Sequence, residues 1–522
     1  MSLDDEKLDT LLELIQNSFR VRPNQDPVYV DVGRHLSRVA APQHQVIFGR
    51  RGSGKSCLLV HFYRAANSTS GARSIYIDCD EVKRLSYPDL LIRLLLMILE
   101  EMPASHRKWW QRVWKRPSGA ETSVRELRGL LDLAEDSAVT EQTTQSIGAR
   151  IEAGIEAPKL AKVGSTVTTE ASIARTSSFR QRKLELLERH FSDYKRALVG
   201  ALEPDERQSV IFDDFYLIHL TVQPDVLDYI HRLLRGTSLY FKIGTVRHRT
   251  SLSRIEGQPI GVDEYQDIEA IDLDRTFEDT AGTQAYLESM LDSMGSTVGI
   301  ERASALYLSE EGRLALALAS GGVPRDYLST FSEAVRAARE AGERKWLTPK
   351  HVYTGAGRVF DRTKFNNLRS DVGFDATPLE RVFQDLLAFC LTEKRKTAFL
   401  IAQSDVPDHS EEHELIQQLM DFKLIHVIVP DTSAASGRSG RFEAYTLDFA
   451  LFMNPRLRNI EHVQFWRVDN QRRREGVREA PVYDLDRARK VLLRATRTVP
   501  TEQIVNEIAA SVGSDASRSD EV

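Results

Sequence analysis

Residues 46–57 read Val46-Ile47-Phe48-Gly49-Arg50-Arg51-Gly52-Ser53-Gly54-Lys55-Ser56-Cys57, and the apolar stretch Leu58-Leu59-Val60 continues from them. An apolar run, a glycine-rich turn spelling GxxxxGKS and a second apolar run predict strand, phosphate-binding loop and helix in that order. Glycines at 49, 52 and 54 let backbone N–H groups turn inward where side chains would block an anion. The helix starting near Lys55 points its positive end at the same place. Lys55 would then reach the β- and γ-phosphates of a nucleotide, and the Ser56 hydroxyl would complete a magnesium shell. The binding set read from this stretch is Gly49, Gly52, Ser53, Gly54, Lys55, Ser56 and Cys57, with ATP and Mg2+ as ligands.

Such a cradle needs a second acid. Val210-Ile211-Phe212-Asp213-Asp214 has the continuous hydrophobicity of a buried parallel strand, ending in two carboxylates. Asp213 is expected to hold the metal through water, and Asp214 to orient the attacking water. A further strand, Ser238 to Thr245, ends in a polar residue, so Thr245 could lie between Asp213 and the γ-phosphate. The cations Arg247-His248-Arg249 and Arg254 follow. Arg247, Arg249 or Arg254 could be a finger reaching a neighbouring subunit's nucleotide; the alternative is a solvated basic loop.

Downstream lies Ala319-Ser320-Gly321-Gly322-Val323-Pro324-Arg325-Asp326-Tyr327-Leu328. Proline suits a first helical turn, and Leu328, Phe331 and Val335 recur on one helix face. With phosphate loop, paired acids, sensor strand and Pro-Arg in this order, residues 27–355 resemble the AAA+ ATPases, above all the origin-recognition (replication-initiator) branch and its STAND relatives. The resemblance implies an α/β fold: a P-loop core of parallel sheet and flanking helices, a helical lid and a C-terminal winged-helix-like domain. It also implies that Arg325 points from the lid at the γ-phosphate, and that Pro27 to Val32 cradles adenine. The initiator branch usually places Glu after the metal-binding Asp. Asp214 departs from that and points to slow turnover or a rarely cycling switch.

The expected layout is an N-terminal helix (1–26), a core (27–280) with an insertion at about 104–180, a lid (281–370), the winged-helix-like domain (371–455) and a basic extension with a disordered tail (456–522). In residues 1–20, Leu8, Leu11, Leu12 and Ile15 share a helix face. Trp109, Trp110 and Trp114 stand among Arg107, Lys108, Arg112, Lys115 and Arg116, a pattern that fits either base stacking or a packed helix. Residues 137–178 hold 13 Ser or Thr and no aromatic residue, which suits a protruding hairpin or a mobile loop. Further on, helices are expected around Leu379–Cys390 and Glu411–Phe422, then strands Leu424–Val429 and Arg441–Leu447 joined by a turn at 433–440. The helix that would read DNA carries Glu411, Glu412, Glu414 and Asp421, against what phosphates require, so protein contact is the stronger reading. From Asn454 to Pro500, 12 bases face 6 acids, a segment that could bind nucleic acid or cap an acidic domain.

The whole chain has 522 residues, 70 Lys+Arg against 76 Asp+Glu, and 41% hydrophobic residues, which excludes a wholly disordered or collagen-like protein. Three cysteines (Cys57, Cys79, Cys390) without a CxxC pair argue against a disulfide framework or a zinc site, and for a reducing cytoplasm. The acidic start lacks a secretory signal, and the most apolar window, Leu90 to Leu99, falls short of the ~20 residues of a membrane span. No nuclease, protease, deaminase or zinc-cluster pattern stands out.

The function expected is an ATP-hydrolysing switch whose nucleotide state controls assembly with partner proteins or with itself, with DNA as a further partner and no membrane. The alternatives are a DNA-bound initiator or loader, and a nucleotide-stabilised scaffold of a bacterial defence system with little hydrolysis.

Overall fold

A computed structural model describes residues 2–24, 27–31, 33–68, 72–102, 120–132, 179–202, 207–364, 376–435, 439–453, 459–468 and 473–493. The tryptophan cluster, segment 137–178, Arg438 and the C-terminal tail fall outside them.

Apolar runs far apart in the chain become neighbours in one sheet. Its strands are β1 (Gln45–Phe48), β2 (Ala72–Asp78), β3 (Arg207–Asp213), β4 (Leu239–Thr245) and, past an outlying hairpin of β5 (Ser253–Glu256) and β6 (Gln258–Gly261), β7 (Glu269–Asp272). The order is β2-β3-β4-β1-β7, with every pairing parallel. Register aligns Phe48 with Thr245 and Asp272, and Asp78 with Asp213. The polar residues predicted at strand ends therefore gather along the sheet's carboxyl edge, where parallel α/β sheets bind ligands. Val46, Ile47, Val210, Ile211 and Phe212 are fully buried, as strands covered on both faces must be. Helix Lys55–Ser68 covers one face with Leu58, Leu59 and Phe62.

Helices Thr280–Thr297, Ala303–Tyr307, Glu310–Ala319, Pro324–Glu340 and Pro349–Val359 follow β7. The N-terminal helix Glu6–Ser18 joins them: Leu8, Leu11 and Ile15 share a buried cluster with Tyr327 and Phe331, while Leu12 is half-buried. Arg339 fixes this docking by donating to the Leu3 carbonyl at 2.8 Å and pairing with Asp9 at 2.7 Å.

The C-terminal region holds helix Ala376–Leu387, β8 (Ala398–Ala402), helix Ser410–Asp421, β9 (Ile425–Thr432) and β10 (Phe442–Leu447). The sheet order β8-β10-β9 is antiparallel. Sequence reading expects a two-stranded hairpin; β8 adds a third strand. Its run Ala-Phe-Leu-Ile-Ala is buried nearly throughout and lacks the alternation that marks a half-exposed strand.

The basic extension folds back on this region and on the segment just before helix Thr280–Thr297. Arg487 pairs with Asp385 and Glu393, Arg474 donates to the Phe277 and Glu278 carbonyls, and Arg478 to that of Ser433. No helix among the described residues is long and apolar enough to cross a membrane.

Candidate nucleotide site

The phosphate loop lies between β1 and helix Lys55–Ser68, at the carboxyl edge of the sheet. Gly52 and Gly54 have φ of +89° and +102°, the left-handed region that glycine enters without strain. A Cβ on Gly52 would also stand 2.8 Å from Arg325 Cβ, so only glycine lets loop and lid touch. They do touch: the Arg325 main-chain N–H donates to the Gly52 carbonyl at 3.2 Å. A Cβ on Gly54, by contrast, would meet open space.

That space is a cavity of about 180 Å³. It is lined by Gly52, Gly54, Lys55, Ser56 and Cys57, by Val28, Tyr29 and Val30, and by Tyr286, Met290, Met294 and Leu328. Arg325 and Asp214 line its polar end. A slot lined by apolar side chains beside a glycine-rich loop suits a planar base attached to phosphates. Of the residues expected to hold adenine, Pro27 to Val32, Pro27 to Val30 line the cavity, Asp31 does not, and Val32 lies outside the described residues.

Lys55 is buried and donates to the carbonyls of Gly49 at 2.7 Å and Arg50 at 3.1 Å. Burial lowers its pKa, while Asp214, Asp274 and Asp213 work against that shift. Ser53 Oγ is buried and makes no hydrogen bond, an orphan that an oxyanion or its water would satisfy.

Asp213 and Asp214 are adjacent yet differently housed. Asp213 is buried, accepting from the Tyr76 hydroxyl at 2.6 Å and from the Asp214 N–H at 3.0 Å. Asp214 turns left-handed (φ 52°), which directs its carboxyl to the cavity. Burial first, then the charge of Asp213, raise its pKa to about 6, with Lys55 opposing. Thr245 is fully buried at the end of β4; its carbonyl accepts the Gly49 N–H at 3.2 Å, and its hydroxyl is shared with Thr250 at 2.6 Å. Gly244 brings β4 against Asp213, since a Cβ there would lie 2.8 Å from Asp213 Oδ1. Arg325 sends its guanidinium to the Phe19 carbonyl at 2.9 Å, tying the lid to the N-terminal segment.

The finger candidates all make contacts within their own chain. Arg247 stacks 3.9 Å over Phe48 and pairs with Glu264 at 3.0 Å; Arg254 grips Asp225 at 2.5 and 2.9 Å; Arg249 lies 5.0 Å over Tyr216.

Phosphate loop after the first strand, paired acids after the third, a polar end to the fourth, strand order 2-3-4-1-7 and an arginine from the helical unit now stand together. The core is an AAA+ fold. Comparison with solved structures finds likeness along most of the chain. Cdc6p from Pyrobaculum aerophilum is 13% identical over 83% of this chain and 93% of that one, with a TM-score of 0.32. The Orc1 protein of Aeropyrum pernix, solved in complex with DNA, is 12% identical over 85% and 88%, with a TM-score of 0.33. A Walker-type ATPase of Pyrococcus abyssi is 12% identical over 83% and 97%, with a TM-score of 0.37. No family model and no curated protein matches the chain. The reading of the site rests on its own geometry.

Sequence reasoning missed several residues here. Tyr76 sits mid-strand, Tyr286, Met290 and Met294 look like ordinary helix-face residues, and Asp274 closes an unremarked loop. Nothing local distinguishes them; only folding brings them to the loop.

Proposed function

We propose that this chain binds and hydrolyses Mg-ATP, and that its nucleotide state governs assembly with partner proteins or with further copies of itself. The observation that carries the reading is one cavity lined by the GKS residues, an acid of raised pKa and a lid arginine. Loop N–H groups and Lys55 would bind the phosphates. Ser56 and Asp213 supply hard oxygen donors suited to magnesium. Among the described residues no cluster of three or more His, Cys, Asp or Glu could hold a metal by itself, so such an ion would depend on phosphates and water for its remaining ligands. Bound magnesium would neutralise charge on the transferred phosphoryl group. Asp214 would accept the proton of the attacking water, with Thr245 beside Asp213 and Arg325 joining the lid to the phosphates.

In this reading residues 27–280 form the ATPase core, 281–370 the lid and 371–455 a winged-helix-like domain, in a cytoplasmic protein. The helix Ser410–Asp421 packs on residues 247–249 of the core, which favours a protein-contacting role for this domain over DNA reading. Titration with Mg-ATP is the test: Lys55→Ala should weaken binding on the order of 100-fold, and unchanged affinity and turnover would rule this site out. A steep fall of DNA affinity with salt would instead support the loader reading.

A further inference from the structure

The second residue of the phosphate loop is an arginine that faces away from the cavity. Arg50 is 7% exposed, and every nitrogen of its guanidinium has a partner. Nε pairs with Asp274 Oδ1 at 3.3 Å, one terminal nitrogen donates to the carbonyls of Arg275 (2.9 Å) and Gly321 (3.2 Å), and the other meets His426 Nδ1 at 3.3 Å. The Arg50 main-chain N–H also donates to Asp274, at 2.9 Å. One side chain thus joins the loop to the segment after β7, to the lid turn and to β9 of the C-terminal sheet.

Donor chemistry fixes the state of His426. A guanidinium only donates, so Nδ1 must accept, which leaves the ring proton on Nε2. There it faces Asp448 Oδ2 at 2.8 Å, with both side chains almost wholly buried. Asp448 therefore holds the tautomer that can receive Arg50. The Gly321-Gly322 pair belongs to the same joint. A Cβ on Gly321 (φ +61°) would stand 2.0 Å from His426 Cε1, and one on Gly322 (φ +77°) would stand 2.7 Å from the Arg275 carbonyl. Beside it, Lys423 pairs with Asp326 at 2.8 Å, next to Arg325, and both side chains are buried.

We propose that Arg50 is a positioning residue of the phosphate loop, and that His426, reaching it from the C-terminal sheet, makes nucleotide affinity depend on that sheet being seated. The proposal rests on the nucleotide reading above. Arg50 fixes the carbonyl-and-amide conformation of residues 49–53 from behind, and the contact with His426 completes its anchorage. When His426 withdraws, one arm of Arg50 is left buried and unpaired, a state that costs free energy and loosens the loop.

The test is the affinity of the full chain for Mg-ATP, read by calorimetry. His426→Ala should weaken binding about tenfold, the scale of one buried hydrogen bond to a charged group. His426→Asn, whose amide oxygen can take the place of Nδ1, should restore it to within about twofold. Asn also retains packing that Ala loses, so His426→Leu, close to Asn in shape but without an acceptor, is the packing control and should bind as weakly as His426→Ala. Arg50→Ala should weaken binding at least as much as His426→Ala, and the double variant no more than Arg50→Ala. Wild-type affinity in His426→Ala, equal losses in the Ala and Asn variants, or additive losses in the double variant would each overturn the proposal. Lys55→Ala, run alongside, separates the two levels. If it too binds normally, the nucleotide reading itself has failed; if it loses binding while His426→Ala keeps it, only this coupling has.

Discussion

The two sheets of this protein are built on opposite rules. In the five-stranded parallel sheet, both faces are covered and the chemistry lies at the strand ends, in loops written as contiguous motifs. In the three-stranded antiparallel sheet, the residue that meets the nucleotide loop is the second of β9, His426, flanked by apolar neighbours and belonging to no motif. The first sheet carries a site that a short segment can specify. The second acts on that site only because folding lays β9 against Arg50. Local sequence can encode a phosphate cradle, because N–H groups and a lysine a few residues apart suffice. It cannot encode a contact 376 residues away.

The largest expected effect sharpens that contrast. Lys55→Ala should reduce Mg-ATP affinity on the order of 100-fold, the scale of a charge-assisted contact to phosphate, as calorimetry would read. Asp214→Asn should keep nucleotide affinity but slow single-turnover hydrolysis on the order of 100-fold, as removal of a general base does. If it instead loses Mg-ATP affinity as badly as Asp213→Asn, the roles of the two acids are misassigned.

A cavity in the second sheet tests its independence. Leu400→Ala, at a fully buried position of β8, should lower stability by about 2–5 kcal/mol in urea unfolding. If the C-terminal sheet holds the loop, nucleotide affinity should fall with it; undisturbed affinity would make the sheets energetically separate. Gly321→Ala should cost about 1–2 kcal/mol from its left-handed backbone alone. Displacing the His426 ring should weaken nucleotide binding several-fold as well.

The smallest effect is a pH dependence. In the free protein Asp214, with a pKa of about 6, is half-protonated near that pH, so kcat/KM for hydrolysis, which reports groups of the free protein, should decline as pH falls through about 6. The stability sign is opposite to the usual carboxylate. The native pKa lies above the ordinary value, so the folded state binds more protons between about 4 and 6, and this residue's contribution falls as pH rises across that window. A flat rate profile between pH 5 and pH 7 would argue against Asp214 as base.

Much of the first sheet was legible. Val46–Phe48, Val210–Asp214 and Ser238–Thr245 read as strands because continuous apolar runs suit a sheet buried on both faces. The helix faces Leu8-Leu11-Ile15 and Leu328-Phe331-Val335 read correctly because periodicity mirrors burial. β8 escaped notice because four buried residues followed by a half-buried one show neither period. Gly321-Gly322 was visible as a motif, but its reason, the His426 ring against one glycine and the Arg275 carbonyl against the other, was not.

By itself, the sequence determined a glycine-rich GKS loop after the first strand, a strand ending in two acids and the α/β order of the core, since these depend on residue types within a few positions of one another. Only the tertiary structure decided that Tyr76 holds Asp213, that Tyr216, Tyr286, Met290 and Met294 line one slot with Phe19 of the N-terminal segment, and that the C-terminal sheet meets the loop from behind. Those contacts join elements hundreds of residues apart, and their partners are chosen by packing, which no local pattern records.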